Sequence, residues 1–238
     1  MSPPAVADRL AAVQARVAAA AVAHHRAPAA VTLIAVSKGQ PAAAVLEAYA
    51  AGQRDFGENY VQEWQAKAAA LAHLTDLRWH FLGHLQRNKA RLVLGHVAVL
   101  HSVDDMVGID ALARAAHEKR AEQDVCLQIN LADEASKRGC TADDAELFCD
   151  VLLRSPGLRL RGLMTLPPPG DDPAQARHWF ARLRTLGDRL ARSLAGRPGA
   201  PEPEPWWLSM GMSDDFEVAI AEGSTHVRVG TAIFGPRP

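Results

Sequence analysis

The chain has 238 residues, with 26 lysines and arginines, 27 aspartates and glutamates, and a formal net charge of −1. This length suits one large domain or two small ones with a substantial core. The balanced charge gives no electrostatic reason to expect binding to nucleic acid or to an anionic membrane. Cys126, Cys140 and Cys149 lack metal-ligand spacing and cannot all pair with one another, which favours a reducing cytoplasm.

The alanine-rich segment 8–25 predicts an N-terminal amphipathic helix. Its apolar stretch is too short to span a bilayer and no cleavage site follows it. Apolar residues recur along it at helical spacing, namely Leu10, Val13, Val17 and Ala21. We therefore expect this helix to pack on the main body. A transit peptide is the alternative, and the acidic Asp8 counts against it.

Apolar segments that alternate with helical segments predict the architecture. The predicted strands are 31–37, 54–57, 79–83, 97–103, 125–131, 158–166, 206–210 and 225–229. The predicted helices are 41–51, 58–72, one from 86, 111–121, 142–153, 173–194 and 214–222. Eight strands in such alternation favour parallel pairing and a closed (β/α)8 TIM barrel, with a doubly wound open sheet as the alternative. We expect a single barrel domain over 1–238, with residues 1–28 forming the helix packed on it.

A lone lysine, Lys38, closes the first predicted strand in the run LIAVSK (33–38). A lysine whose stem is buried at a strand end can lose enough hydration to act as a neutral amine. Such an amine can form a Schiff base. The alternative is a solvated lysine that extends to water from the strand end.

Glycines and hydroxyls follow the seventh and eighth predicted strands. The first group holds Ser209, Gly211 and Ser213, and the second holds Gly230 and Thr231. The loops after these two strands are a common phosphate site in barrels of this type. In a closed barrel the first strand lies beside the eighth, so Lys38 is expected next to Gly230 and Thr231. An amine and a phosphate site together suggest pyridoxal 5′-phosphate (PLP).

The alternative for the first group is that these residues only cap a helix. Asp214, with Glu217 three residues later, has the pattern of a capping box. The Pro-rich segment 167–170 follows the sixth predicted strand and is expected to form one wall of the site. The segment 196–205 joins a helix back to a strand, so we expect a surface loop on the opposite face.

Arg228 lies inside an apolar predicted strand, so it must be paired. It either forms a salt bridge to a barrel carboxylate or faces a ring nitrogen of the ligand. Other polar residues are expected on the catalytic face, where each is equally compatible with a helix cap. These are Glu58, Asn59, Gln62 and Asn130. His80 and His84 have no third ligand at zinc spacing, so packed or hydrogen-bonded histidines are expected and no metal site is predicted.

Several longer motifs make the chain resemble the pyridoxal-phosphate homeostasis protein family (YggS/PROSC-type), which has the alanine-racemase-like barrel. They are LIAVSKGQP (33–41), FGENYVQE (56–63), WHFLGHLQRNK (79–89), HSVDD (101–105), QINLADEASKRG (128–139), RGLMTLPPP (161–169) and LSMGMSDDFEVAIAEGSTHVRVGTAIFGPR (208–237). The resemblance covers nearly the whole chain. It departs from the family at Gly39-Gln40, at Arg87 and in the 196–205 loop, and none of these departures falls on the inferred cofactor contacts.

The resemblance implies that Lys38 holds PLP as a Schiff base and that Arg228 faces the pyridine nitrogen. It also implies that Ser213, Gly230 and Thr231 hold the phosphate, with Asn59 near the cofactor ring. Ser209 and Gly211 complete the predicted binding set. Should the Schiff base lie elsewhere, Lys137 is the next candidate.

The function that follows is PLP binding for intracellular homeostasis, with buffering or delivery of the cofactor to apo PLP-dependent enzymes as partners. No established catalytic reaction is implied, and a monomer with an open cofactor face is expected. The racemases that share this fold take a second base from an additional domain of a partner subunit, whereas this chain ends directly after the eighth predicted strand. The alternatives are a PLP-dependent amino-acid racemase or related PLP enzyme, and a cofactor-free Schiff-base aldolase.

Overall fold

The computed structural model describes residues 5–134, 138–168, 172–201 and 206–236. Its strands are β1 Thr32–Val36, β2 Asp55–Glu58, β3 Arg78–Phe81, β4 Val99–Val103, β5 Gln123–Ile129, β6 Leu158–Thr165, β7 Trp207–Ser209 and β8 His226–Val229. Its helices are α1 Val6–Ala23, α2 Ala42–Ala50, α3 Val61–Ala70, α4 Ala90–Val93, α5 Met106–Lys119, α6 Ala145–Leu153, α7 Pro173–Leu194, α8 Phe216–Ala221 and α9 Thr231–Phe234.

The eight strands form one closed parallel barrel in the order β1 to β8. β1 closes the barrel against β8, with Ile34 opposite Arg228 and Ala35 opposite Val229. The predicted barrel is therefore confirmed, and the open-sheet alternative is wrong. Because the loops after β1 and β8 leave neighbouring strands at the same end, Lys38 lies beside Gly230 and Thr231.

The main apolar core lies between the barrel and its helices. Successive residues of a strand point to opposite sides of the sheet. In β1, Leu33 and Ala35 belong to the main core, whereas Ile34 and Val36 form a separate small cluster with Leu82. The barrel interior also holds buried polar side chains, among them His80 and His101.

The predicted N-terminal helix is confirmed as α1. Its apolar stripe is buried, with Leu10 and Ala21 fully inaccessible, and it packs on α8, α9 and α2. Arg9 Nε donates a hydrogen bond of 2.6 Å to the carbonyl of Ile233, an acceptor in the last turn of α9. No described helix is both long enough and apolar enough to cross a membrane.

Several helix starts differ from the prediction, and three of the differences have a local reason. α3 begins at Val61 instead of 58, because Glu58 completes β2. α5 begins at Met106, five residues early, because the Asp105 side chain caps it by accepting from the Gly108 N–H. The segment after residue 86 is a 3₁₀ turn, Arg87–Lys89, followed by the single turn of α4.

Candidate functional site

A cavity of about 260 Å³ opens at the barrel mouth, where β1, β2, β7 and β8 end. Its volume is slightly below the range for small-molecule sites, which begins at about 300 Å³. Six of the eight residues predicted to bind the cofactor line it: Lys38, Asn59, Ser213, Arg228, Gly230 and Thr231. Residues from the two ends of the chain therefore meet at one site.

The turn that carries Lys38 is fixed by α3. Gly39 has a φ of +72°, a conformation that favours glycine, and the turn closes with a hydrogen bond from the Gln40 N–H to the Ser37 carbonyl. Glu63 accepts from the Gly39 N–H at 2.8 Å. On the other side, Lys67 Nζ donates to the Ser37 carbonyl at 2.7 Å. Lys38 is thus presented by a turn that is tied to α3 at two points.

A buried ion pair stands behind this turn. Lys67 Nζ lies 2.6 Å from Glu58 Oε1, and the two side chains are 7% and 0% exposed. The Ser37 hydroxyl donates to the same oxygen at 2.6 Å. Burial raises the pKa of Glu58, and the bonds from Lys67 and Ser37 oppose that shift. Glu58 was predicted at the barrel mouth, whereas Lys67 was not predicted; it is buried on the same helical face as Val61 and Trp64.

Ser213, Gly230 and Thr231 line the part of the cavity that the segments after β7 and β8 form. At Gly230 an added Cβ would lie 3.2 Å from the Val36 carbonyl oxygen, so this glycine allows β8 to end close to β1. Hydroxyls and exposed backbone at this position are suited to an anionic group.

The predicted capping box is wrong. α8 begins at Phe216, and its preceding residue Asp215 makes no side-chain cap to the helix. Asp215 Oδ1 instead accepts from the Met212 N–H at 2.6 Å, which closes the turn before the helix. Asp214 lines the cavity. It therefore adds one negative charge beside Lys38 and Arg228.

Among the described residues that line the cavity, Ser209 and Gly211 are absent. Both lie in the wall behind Arg228. Ser209 is fully buried and its hydroxyl receives a hydrogen bond from Arg228. Gly211 has a φ of +96° and its carbonyl accepts from the Arg228 N–H at 3.0 Å. Their predicted position is therefore corrected from the cavity surface to the layer that supports Arg228.

Arg228 is 5% exposed and reaches the cavity from the barrel interior. Its Nη1 donates to Ser209 Oγ at 2.7 Å, and its Nη2 donates to the Thr165 carbonyl at 2.9 Å. Among the described residues Arg228 forms no ion pair with a carboxylate, so the salt-bridge alternative is wrong for this part of the chain. Asp215 acts on the guanidinium only electrostatically, without a hydrogen bond to it. Burial lowers the pKa of Arg228 to about 10, which leaves it charged at neutral pH.

Most of the other residues that line the cavity were not predicted from the sequence. Leu82, Met164, Leu166 and Met212 supply apolar walls, and their sequence positions gave no signal beyond hydrophobicity. Gln40 also lines the cavity, so the Gly39-Gln40 departure lies close to the inferred cofactor contacts.

Asn59 supplies an open acceptor. Its Oδ1 is buried and has no hydrogen-bond partner among the described residues. A buried acceptor left without a donor is costly unless a ligand or water supplies one. Because Asn59 lines the cavity, its Oδ1 fits a ligand that carries a hydroxyl or N–H donor.

Other predicted candidates are accounted for elsewhere. Gln62 is exposed on α3, and Asn130 Nδ2 donates to the Glu134 carbonyl at 2.9 Å. His80 is buried and hydrogen-bonded as expected, and His84 Nδ1 pairs with Asp104 at 3.1 Å. Within the described ranges no cluster of histidine, cysteine and acidic residues has the form of a metal site. Lys137, part of the Pro-rich segment 167–170 and part of the 196–205 loop lie outside the described residues.

The fold and the site define a (β/α)8 barrel of the alanine-racemase type. Residues 9–238 match the family "Alanine racemase, N-terminal domain". Alanine racemase from Corynebacterium glutamicum shares the fold at 18% identity, with a TM-score of 0.69 over 97% of this chain and 62% of that chain.

Closer relatives narrow the family. The chain is 47% identical to the pyridoxal phosphate homeostasis protein of Pseudomonas aeruginosa, over 98% of this chain and 96% of the relative. It is 42% identical to the protein of that name from Escherichia coli strain K12, over 98% and 97%. PipY of Synechococcus elongatus, solved with PLP bound, superposes with a TM-score of 0.83 at 42% identity, over 97% and 100%. The chain belongs to the pyridoxal phosphate homeostasis protein family, which confirms the resemblance.

Proposed function

We propose that this protein binds PLP in the cavity at the barrel mouth and serves the intracellular homeostasis of that cofactor, by buffering it or delivering it to apo PLP-dependent enzymes. The observation that carries the proposal is the convergence of Lys38, Arg228 and Thr231 on one cavity. The relatives named for PLP homeostasis, and the PLP-bound PipY structure, support it.

Lys38 is the residue that would hold the cofactor covalently. Its amine would condense with the aldehyde of PLP and release water to give a Schiff base. Bound PLP supplies an electrophilic carbon and an electron-withdrawing ring. The fixed turn around Gly39 presents the lysine at the cavity, so little reordering of the backbone is needed for binding.

The residues present fit the rest of the cofactor. Ser213, Gly230 and Thr231 would surround the phosphate, and the unpartnered Oδ1 of Asn59 would accept from a polar group on the ring. The apolar walls, which include Leu82 and Met164, suit the faces of an aromatic ring.

Arg228 would face the ring nitrogen and favour a carrier over a catalyst. PLP stabilises a carbanion best when that nitrogen is protonated. A guanidinium donates hydrogen bonds but does not release a proton at neutral pH. Arg228 would therefore leave the ring a weak electron sink. The aldolase alternative is disfavoured, because a cofactor-free enzyme offers no ring nitrogen to Arg228.

The proposal includes a monomer in the cytoplasm. The three described cysteines are buried and free, and burial raises the pKa of Cys126 and of Cys140 to about 12. Such thiols are suited to a reducing compartment, where they stay unpaired. Sedimentation equilibrium with and without PLP tests the monomer, and a concentration-dependent dimer would contradict it.

The test of binding compares PLP with pyridoxal. Titration with PLP should give a yellow protein whose colour is bleached by borohydride, while pyridoxal should bind far more weakly because it lacks the phosphate. Equal affinity for the two compounds would contradict the phosphate site. The test of delivery follows activation of an apo PLP enzyme by the loaded protein, with the same concentration of free PLP as the control. If the loaded protein keeps its PLP and the apo enzyme is not activated, delivery is contradicted.

The racemase alternative has its own assay. The loaded protein is incubated with L-alanine and L-serine, and the D-isomers are measured. We expect negligible turnover. A rate of about 1 per second or more, ordinary for an enzyme, would favour the racemase.

A further inference from the structure

A column of polar side chains runs through the barrel interior beneath the cavity. Arg228 Nη1 lies 2.7 Å from Ser209 Oγ, which lies 2.9 Å from His101 Nδ1. His101 Nε2 lies 2.9 Å from His80 Nδ1, and His80 Nε2 lies 3.0 Å from Asp55 Oδ1. All five residues are at most 9% exposed. They join the cavity to the far end of the barrel, where β2 begins.

The two ends of the column carry opposite charges. At the cavity end stands the guanidinium of Arg228, without a contacting carboxylate among the described residues. At the other end, Arg78 Nε and Nη2 bind the two oxygens of Asp55 at 2.7 and 2.6 Å. Although burial alone would raise it, the bonds from Arg78 and His80 hold the pKa of Asp55 well below its usual value. Asp55 is therefore a fixed anion.

The charge on Asp55 sets the direction of the first hydrogen bond in the column. A carboxylate only accepts, so His80 carries a proton on Nε2. When Nδ1 of His80 accepts, His101 donates from Nε2 and keeps Nδ1 as an acceptor for the Ser209 hydroxyl. Ser209 Oγ is then open to the N–H of Arg228. Each link of the column then joins one donor to one acceptor.

The opposite direction satisfies fewer groups. If His101 donated from Nδ1 to Ser209, the buried Ser209 hydroxyl proton would have no acceptor among the described residues. His80 would then donate from both nitrogens and carry a positive charge in the same interior as Arg228. Burial, with His80 and His226 nearby, lowers the pKa of His101 well below its usual value, which agrees with a neutral ring.

We propose that this column is a one-directional hydrogen-bond chain, from Arg228 through Ser209, His101 and His80 to Asp55, that fixes the guanidinium of Arg228 at the base of the cavity. His101, His80 and Asp55 are then positioning residues, and their effect on a bound PLP ring rests on the proposed function. The chain acts through Ser209, because a hydroxyl that gives its proton to His101 becomes a better acceptor for Arg228.

The first test needs no cofactor. Long-range ¹H–¹⁵N NMR of the unliganded protein at pH 7.5 reads the tautomer of each histidine, with assignment by loss of single signals in histidine variants. We expect both His80 and His101 to be neutral and protonated on Nε2. A proton on Nδ1 of His101, or a doubly protonated His80, would overturn the one-directional chain.

The second test uses two matched buried histidines. His226 contacts His80 and His101 through its ring, but its Nδ1 pairs with Thr225 outside the column. His101→Leu should weaken PLP binding about tenfold and shift the pH dependence of the visible absorbance of bound PLP. The reason is that Ser209, which accepts a hydrogen bond from the charged Arg228, would lose its own bond to His101. His226→Leu should change the affinity less than about threefold and leave the absorbance unshifted.

Equal effects of the two variants on affinity and absorbance would overturn the positioning role. A variant that fails to fold leaves the tautomer measurement on the natural protein to decide. A natural protein that binds no PLP would refute the proposed function, whereas the NMR result would still decide the direction of the chain.

Discussion

The mouth of the barrel and its interior both concentrate polar side chains within an apolar frame, and they differ in how these groups are satisfied. At the mouth, Asn59 Oδ1 is buried without a partner among the described residues, and hydroxyls line open space. In the interior, His80 and His101 have hydrogen bonds on both ring nitrogens. The open acceptor of Asn59 marks a place where a ligand fits, and the hydrogen-bonded histidines mark the support beneath it. Arg228 belongs to both regions.

The largest effect is expected when the buried ion pair behind the Lys38 turn is broken. Lys67→Met would leave Glu58 as a buried charge without its partner, which typically costs about 3–5 kcal/mol. We expect urea denaturation to show that loss in the free energy of unfolding. The double variant Lys67→Met/Glu58→Gln removes both charges and should recover part of it. A loss below about 1 kcal/mol in Lys67→Met would show that the pair is not coupled to the fold.

Variants of the hydroxyls at the barrel mouth should have a smaller effect than Lys67→Met. They should change the affinity for PLP and not the stability of the fold. Thr231→Ala and Ser213→Ala should each weaken PLP binding, because a hydrogen bond to a charged group is worth about 1.5–3 kcal/mol, which is about tenfold or more in affinity. Thr185→Ala, at an exposed hydroxyl on α7, is the matched control. Fluorescence or absorbance titration measures all three, and an affinity unchanged in both site variants would remove these residues from the phosphate site.

The interior should also make stability depend on pH. Burial lowers the pKa of His226 to about 3, below the value of about 6.5 expected in the unfolded chain. Between these values the unfolded state binds the proton and the folded state does not, so the free energy of unfolding falls as the pH is lowered. The contribution of one such histidine is about 1.4 kcal/mol per pH unit.

His226→Phe isolates this contribution. Comparing the two proteins between pH 4.5 and 6 cancels the carboxylates they share, and the slope of stability against pH should be shallower in the variant by about 1.4 kcal/mol per pH unit. Identical slopes would mean that His226 is protonated in the folded protein.

The parts of this structure that follow from local pattern and topology could be predicted. Lys38 ends a strand, Thr231 follows another, and closure of eight parallel strands brings them together. The capping-box prediction was wrong because Asp214 and Asp215 are adjacent and carry the same side chain. Only the fold decides which of the two accepts a hydrogen bond, and from which donor.

The column of hydrogen-bonded side chains in the barrel interior could not be predicted from the sequence alone. His101 stands next to Ser102 in β4, and His226 shares β8 with Arg228, so neither histidine is marked out in the sequence. The partners of His101 come from β3 and β7, far away in sequence. Their pairing depends on the register around the barrel. Lys67 did carry a local signal, since Val61, Trp64 and Lys67 recur every three residues on one face of α3.

The proposed function depends most on Lys38 as the residue that carries PLP. The loaded protein is reduced with borohydride and digested, and the modified peptide is sequenced by mass spectrometry, with Lys38→Ala and Lys89→Ala treated in parallel. The prediction is a pyridoxyl group on Lys38 in the natural protein and in Lys89→Ala, and no stable adduct in Lys38→Ala, whose free energy of unfolding changes by less than about 1 kcal/mol. An adduct of equal yield in Lys38→Ala, on Lys137 or any other lysine, would contradict the account.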